Sequence, residues 1–269
     1  MKLRNFVSAI IVALGVNTTA TAQDYDLGGF VGASFYNGEL YPGLDNGFGN
    51  AFRGFRPAIG GLARYNFNPR LSVRGSLYLG YLAGYDAYGN KGTLREVRNL
   101  SFHSPLVELS AVGEFNLMKY VAGSRSYTFA PYLFAGVGAF YFEPKTWLDD
   151  KRYKLRPLAT EPGKSYSPVS IAIPVGLGFK YNIKNDWTLG FEMGWRKIFT
   201  DYLDDVSTVY PPSSYTVNDQ SPIADRLANR TGRTVSAQYR RGNPGADDSY
   251  YIVGFSLYKT IRKYGCNDF

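Results

Sequence analysis

The chain has one cysteine, one histidine and, although 45% of its 269 residues are hydrophobic, no uninterrupted apolar run of about 18 residues. The missing run excludes a helical membrane span, and the mean hydropathy is slightly negative at −0.23. The lone Cys266 excludes an internal disulfide. In an oxidising compartment its thiol is either a bystander or is bridged to another molecule or modified. With His103 as the only histidine there is no His/Cys spacing for a metal, and no glycine-rich phosphate loop precedes a helix. Metal, nucleotide and cofactor chemistry therefore have no visible carrier.

What the chain does have is aromatic residues (16%, with 23 Tyr), 30 Gly and a two-residue alternation. The alternation is clearest in Val169-Ser-Ile171-Ala-Ile173-Pro-Val175-Gly-Leu177-Gly-Phe179-Lys-Tyr181. Successive strand side chains point to opposite faces, so this segment presents one large apolar face and one small or polar face. Such segments repeat about eight times between turns, which is the pattern of a transmembrane β-barrel, and the polar inward face explains the low mean hydropathy.

The N-terminus reads as a secretory leader, residues 1–22: basic Lys2 and Arg4, an apolar stretch from Phe6 to Val16, then small residues ending at Ala22. No cysteine follows the apolar stretch to carry a lipid anchor. Removal of Lys2 and Arg4 with the leader lowers the formal charge from +8 to +6. Residues 23–262 then form the barrel and residues 263–269 a tail.

The spacing predicts strands over Leu27–Tyr36, Arg56–Phe67, Leu71–Tyr81, Ser104–Met118, Tyr127–Phe142, Val169–Ile183, Trp187–Thr200 and Tyr250–Ile261. Connections after the second, fourth and sixth are short, and the others are long. Short periplasmic turns and long extracellular loops place both termini in the periplasm. The expected fold is therefore all-β: an eight-stranded antiparallel up-and-down transmembrane β-barrel with long extracellular loops. An eight-stranded barrel is filled by its own side chains. The inward phase carries Arg64, Arg74, Glu108, Glu114, Lys180, Glu192 and Arg196, which can survive burial as a paired ladder, either a structural plug or a gated polar conduit. The outward phase carries Leu77, Leu109, Leu177 and Met193, among others, with Trp187 and Trp195 near the two ends of one strand as interfacial anchors.

Candidate chemistry is sparse. A Ser, a His and an acid serve lipid-deacylating barrels, but His103 and Ser104 are adjacent on a strand and face opposite sides, so no catalytic residues are assigned. Asp201, Asp204 and Asp205 cluster, but not at calcium-loop spacing, and no metal site is assigned. The loop they begin runs for more than 40 residues to Asp248, with a short helix expected after Ser221-Pro222; its length indicates recognition or partial disorder. The loop from Pro144 to Ser167 is basic: Lys145, Lys151, Arg152, Lys154, Arg156 and Lys164 against Asp149, Asp150 and Glu161. Lipid phosphate is the expected partner there, and nucleic acid is not. Lys259, Arg262, Lys263 and Cys266 are candidate partner contacts near the C-terminus.

Five segments carry a family resemblance: Arg98-Asn99-Leu-Ser-Phe102, Pro131 to Phe140, Leu155 to Glu161, Phe199-Thr-Asp201-Tyr202-Leu-Asp204-Asp205-Val-Ser207 and Arg241-Gly-Asn-Pro244. Together they resemble the PorG-type outer-membrane proteins of Bacteroidota, also catalogued as a domain of unknown function. The resemblance implies a non-enzymatic barrel that anchors the periplasmic ring of the type IX secretion system, with PorK-like lipoproteins and PorN-like proteins as partners, besides outer-membrane lipid. It transfers no catalytic residues and no cofactor. An independent surface barrel for adhesion or ligand binding, and a lipid-modifying enzyme dependent on His103, are the alternatives.

Overall fold

In a computed structural model, the described residues are 24–40, 53–88, 98–184, 186–212, 220–236, 239–245 and 247–262. The leader, Lys263 and Cys266 lie outside them. Ten strands form: β1 (Asp24–Asn37), β2 (Arg56–Asn66), β3 (Leu71–Tyr85), β4 (Ser101–Asn116), β5 (Phe129–Phe142), β6 (Lys145–Leu148), β7 (Lys151–Lys154), β8 (Val169–Lys184), β9 (Trp187–Ile198) and β10 (Ser249–Arg262). A short helix, α1, spans Ile223–Ala228, where the sequence predicts it.

Eight strands close on themselves. Each pairs antiparallel with its neighbours in the order β3-β2-β1-β10-β9-β8-β5-β4, and β3 pairs with β4 to seal the cylinder. The seam between the first and last strands is continuous from Asp24↔Arg262 to Asn37↔Ser249, so no strand edge is left open within the wall. The fold is thus an eight-stranded antiparallel up-and-down barrel. Observed strand ends fall between two residues inside the predicted ones, as at Asn116, Phe129 and Ile198, and four residues beyond them, as at Tyr85. The β6–β7 hairpin is a departure from the predicted loop: it continues β5 past Pro144 and touches β4 through the pair His103↔Lys145.

The strands alternate in burial as the two-residue period requires. On β4, for example, Phe102, Ser104, Leu106, Glu108, Ser110, Val112 and Glu114 are buried, whereas Val107, Leu109 and Phe115 are exposed. Exposed Leu77, Leu79, Leu109, Val137, Leu177, Phe179, Met193 and Phe255 belong to an apolar belt around the wall. Trp187, the first residue of β9, and Trp195, three residues before its last, are exposed in the same belt. A belt of this kind is stable only against lipid, so the cylinder is a membrane-spanning barrel of the outer-membrane type. No helix among the described residues is long and apolar enough to cross a membrane.

Short turns close one end. At Asn68-Pro69 the Asn68 side-chain oxygen accepts hydrogen bonds from the backbone N–H of Arg70 (2.8 Å) and Leu71 (2.9 Å), fixing the reversal. At the same end Arg262 Nη2 donates to Asp186 Oδ1 (2.6 Å) and to the Ala122 carbonyl (2.7 Å), tying the last strand to two turns. Arg262, a candidate partner contact, is therefore already committed within the chain. Some strands also run very close. A Cβ at Gly136 would lie against the Ala111 carbonyl oxygen and 2.6 Å from Val112 Cα, which is why that position carries glycine.

Candidate functional site: a charge-filled lumen under a loop cap

All seven sequence-predicted inward charges lie inside the barrel and are at most 2% exposed. They are arranged as a ladder. Nearest the short-turn end, Arg64 bonds Asp26 (3.0 Å) and Glu114 (2.8 Å). Glu114 also meets Arg74 (2.9 Å) and Lys180 (2.7 Å). Arg74 reaches on to Glu192, which accepts hydrogen bonds from Tyr78 (2.7 Å) and Tyr132 (3.1 Å). Higher up, Arg196 bonds Glu108 (3.2 Å), which also accepts from Tyr250 (2.8 Å).

The sequence phase yields four bases and three acids, and the structure supplies the missing acid. Asp26 is buried, pairs with Arg64 and accepts from Thr260 Oγ1 at 2.7 Å. It lies one residue before the predicted start of the first strand, which is why the inward phase did not include it. Aromatic faces complete the packing: the Arg64 guanidinium sits 4.4 Å from the Tyr258 ring centre, and Lys180 Nζ 4.7 Å from that of Tyr132.

Above the charges is an apolar layer. Phe30, Tyr36, Leu82, Phe102, Phe140, Phe142, Ile198 and Ile252 from the strands join Leu40, Leu155, Leu203, Val206 and Leu227 from the loops in one buried cluster. The described part of the long loop after β9 is therefore a folded cap seated in the barrel mouth.

The cap is held by a second polar network. Glu161 is its hub. It is 2% exposed, and it accepts hydrogen bonds from the backbone N–H of Ser207 and Thr208 (2.9 Å each) and from Thr208 Oγ1 (2.7 Å). Tyr202 OH (3.3 Å) and Arg241 Nη1 (2.9 Å) also donate to it. The sequence counts Glu161 simply among the acids of the basic loop; the structure buries it as the clasp of the cap. Arg241 also donates to the Asp205 carbonyl (2.5 Å) and the Ala228 carbonyl (3.2 Å). Arg98 forms a fork to buried Asp86, 2.7 Å on each arm, and donates to the Arg241 carbonyl. Asn99 beside it takes a left-handed backbone, φ 49°. Arg98, Tyr202, Asp204 and Asp205 thus all join the cap.

The three acids of the Asp201 segment do not converge on one point. Asp205, with φ 68°, turns to Thr160 and Tyr166 (2.7 Å). Asp204 meets Tyr36 OH at 2.6 Å and accepts from the Val206 N–H. Asp201 instead approaches Glu39 and Asp248, whose carboxylate oxygens lie within 4.8 Å of one another and of its own. Tyr36 OH is also 2.8 Å from Asp248 Oδ1. One phenol proton serves one acceptor, so the second contact requires a protonated carboxyl.

The electrostatics agree. Burial pushes Asp201 up to about 7, with Glu39 and Asp247 adding repulsion. Asp204 and Asp248 are pushed well above the usual carboxylate range by burial and by neighbouring acids. A carboxyl with a raised folded pKa holds its proton more tightly folded than unfolded. Its stabilising contribution is therefore complete below the unfolded value near 3.8 and is lost as pH rises through about 7. Protease cleavage within residues 199–248 is accordingly expected to be faster at pH 8 than at pH 5, and Asp201→Asn to flatten that dependence; equal cleavage at both pH values would contradict it.

The candidate catalytic residues are dispersed. Ser104 and Glu108 point inward, while His103 points outward against Trp147, with ring centres 6.4 Å apart. Ser104 Oγ donates to the Pro105 carbonyl (3.0 Å) and accepts from the Glu143 N–H (2.9 Å). A nucleophile and base within bonding reach are therefore not formed by this trio.

Fold and site together define a class: an outer-membrane-type β-barrel with an ion-paired interior and a folded plug in its mouth. The chain belongs to the family described as Domain of unknown function (DUF6089), whose model matches residues 4–218. No curated protein matches it. Among solved structures, it is similar to Ail, the attachment invasion locus protein of Yersinia pestis, in complex with the heparin analogue sucrose octasulfate. The identity is 8% and the TM-score 0.43, over 90% of this chain and 100% of that one. It is also similar to a major outer membrane protein from Thermus thermophilus (13%, TM-score 0.41, 90% and 100%) and to the outer membrane protein OprG from Pseudomonas aeruginosa (13%, TM-score 0.40, 88% and 96%).

Proposed function

We propose that the chain is a non-enzymatic barrel that anchors the periplasmic ring of the type IX protein secretion machinery in the outer membrane. The observation that carries the proposal is the interior: ion-paired along its length and capped at its mouth, the barrel acts through its outer surfaces rather than as a pore. With the short-turn end assigned to the periplasm, Lys119, Arg125, Lys184 and Lys259 are exposed there beside exposed Leu117, Met118 and Val121. A mixed basic and apolar rim suits a protein partner with a complementary acidic face. PorK-like lipoproteins and PorN-like proteins are the partners that the PorG resemblance supplies.

Crosslinking in intact outer membranes, read by mass spectrometry, tests this. Crosslinks from Lys119 and Lys259 to ring components are expected. Crosslinks confined to the long-loop end would favour the second reading, an independent surface barrel. That reading is supported by a cavity of about 430 Å³ in the cap, lined by Arg98, Tyr210, Arg233, Tyr239 and Arg240 among others.

A further inference from the structure

The β6–β7 hairpin gathers much of the basic loop, and its two faces have different surroundings. Directly opposed residues of an antiparallel pair share a face. Lys145 is opposite Lys154 and Trp147 is opposite Arg152, whereas Thr146 and Tyr153 form the other face together with Leu148 and Lys151. That second face is committed to the cap. Leu148 and Tyr153 pack against the loop-and-strand core, and Thr146 Oγ1 lies 3.3 Å from Ser101 Oγ. Asp149 accepts from Arg226 (2.7 Å), and Arg230 donates to the Trp147 carbonyl, so the plug braces the hairpin from behind.

The first face continues the barrel wall. Lys145 stands beside His103 on β4, and Trp147 lies six residues beyond lipid-facing Tyr141 in the same outward phase. Trp147 is 56% exposed and rests against the His103 ring. Arg152 and Lys154 are exposed beside it. The acid of this face is Glu143, which is buried and already surrounded by Lys154 (3.0 Å), Lys145 (3.8 Å) and Arg156 (3.9 Å). The face therefore keeps a surplus of cations around one exposed indole.

We propose that this face binds the phosphate groups of glycolipid headgroups in the leaflet that surrounds the long-loop end. Three observations select a lipid over a dissolved anion. The cations sit on the direct extension of the lipid-facing wall; they form a shallow face rather than an enclosed pocket; and they flank a tryptophan, the residue type that anchors proteins at headgroup level. Arginine and lysine on a braced hairpin supply the charge-assisted donors that phosphate oxygens accept. The proposal shares the membrane topology assumed above but is independent of any role in secretion.

Native mass spectrometry of the detergent-solubilised mature barrel tests it, with diphosphoryl lipid A, its dephosphorylated form and inositol hexakisphosphate as probes. Preferential binding of diphosphoryl lipid A is expected, weakened at least about tenfold in R152E/K154E and unchanged in the charge-matched control R53E/R70E, two exposed arginines outside the hairpin. Heat-modifiable migration verifies folding of each variant. Equal binding of the dephosphorylated lipid, equal binding by R152E/K154E, or an equal loss in the control would overturn the proposal. So would tight binding of inositol hexakisphosphate with the same sensitivity to R152E/K154E, because it would make the occupant a soluble anion.

Discussion

Glu114→Ala is expected to destabilise the barrel by roughly 3–5 kcal/mol, read as a lower urea midpoint for the heat-modifiable band in lipid vesicles. Glu114 meets Arg64, Arg74 and Lys180 at 2.7–2.9 Å with its own side chain fully buried. Its removal leaves four buried cations against three acids: Arg64 keeps Asp26 and Arg74 keeps Glu192, while Lys180 loses its carboxylate partner. The cost is mainly that of the charges left behind, so a second substitution should recover part of it: Glu114→Ala with Lys180→Met is expected to be more stable than Glu114→Ala alone. The half-exposed pair Lys197 and Asp247, 2.7 Å apart, provides the contrast. Lys197→Ala is expected to change stability by under about 1 kcal/mol, because water solvates both partners. A Glu114→Ala protein as stable as the parent would mean that the lumen is wet, and would revive the polar conduit in place of the plug.

Glu161→Ala should open the cap while leaving the barrel intact. It removes the acceptor for two backbone N–H groups and the partner of a buried guanidinium. Hydrogen bonds to a charged group contribute about 1.5–3 kcal/mol each, so the local loss is expected to exceed about 3 kcal/mol. Limited proteolysis reports it: cleavage within residues 199–248 should accelerate more than a hundredfold while the strands stay protected, the two being separate cooperative units. Glu161→Gln keeps one carbonyl acceptor and should give an intermediate rate. If neither substitution alters cleavage, Glu161 is not what fastens the cap.

These two networks differ in how visible they are in the chain. Glu108, Glu114, Glu192, Arg74 and Arg196 are legible because a residue two positions along a strand returns to the same face, and their neighbours are unmistakably strand-like. Asp26 is harder to place, since it precedes the clear alternation that starts at Leu27, yet its hydrogen-bonding to Arg64 completes the charge balance. In the cap, Glu161 and Arg241 are 80 residues apart and lie on irregular backbone. No period relates them, although both fall within segments that carry the family resemblance. Asp201, Asp204 and Asp205 illustrate the same limit: their adjacency suggests a shared ligand, but backbone turns send Asp205 to Thr160 and Tyr166, away from the Tyr36, Glu39 and Asp248 group that Asp201 and Asp204 meet.

The sequence by itself determined the barrel, the number of its strands, the alternation of short and long connections and the identity of most inward charges. All of these follow from a two-residue period that holds wherever one face of a strand meets lipid and the other a packed interior. Only the tertiary structure decided which charges pair, that the long loop fills the mouth, that β6 and β7 extend the wall, and that Trp147 shares a face with Arg152 and Lys154. Those features depend on contacts between residues far apart in the chain, where loop closure and backbone turns, rather than local periodicity, set which side chains meet.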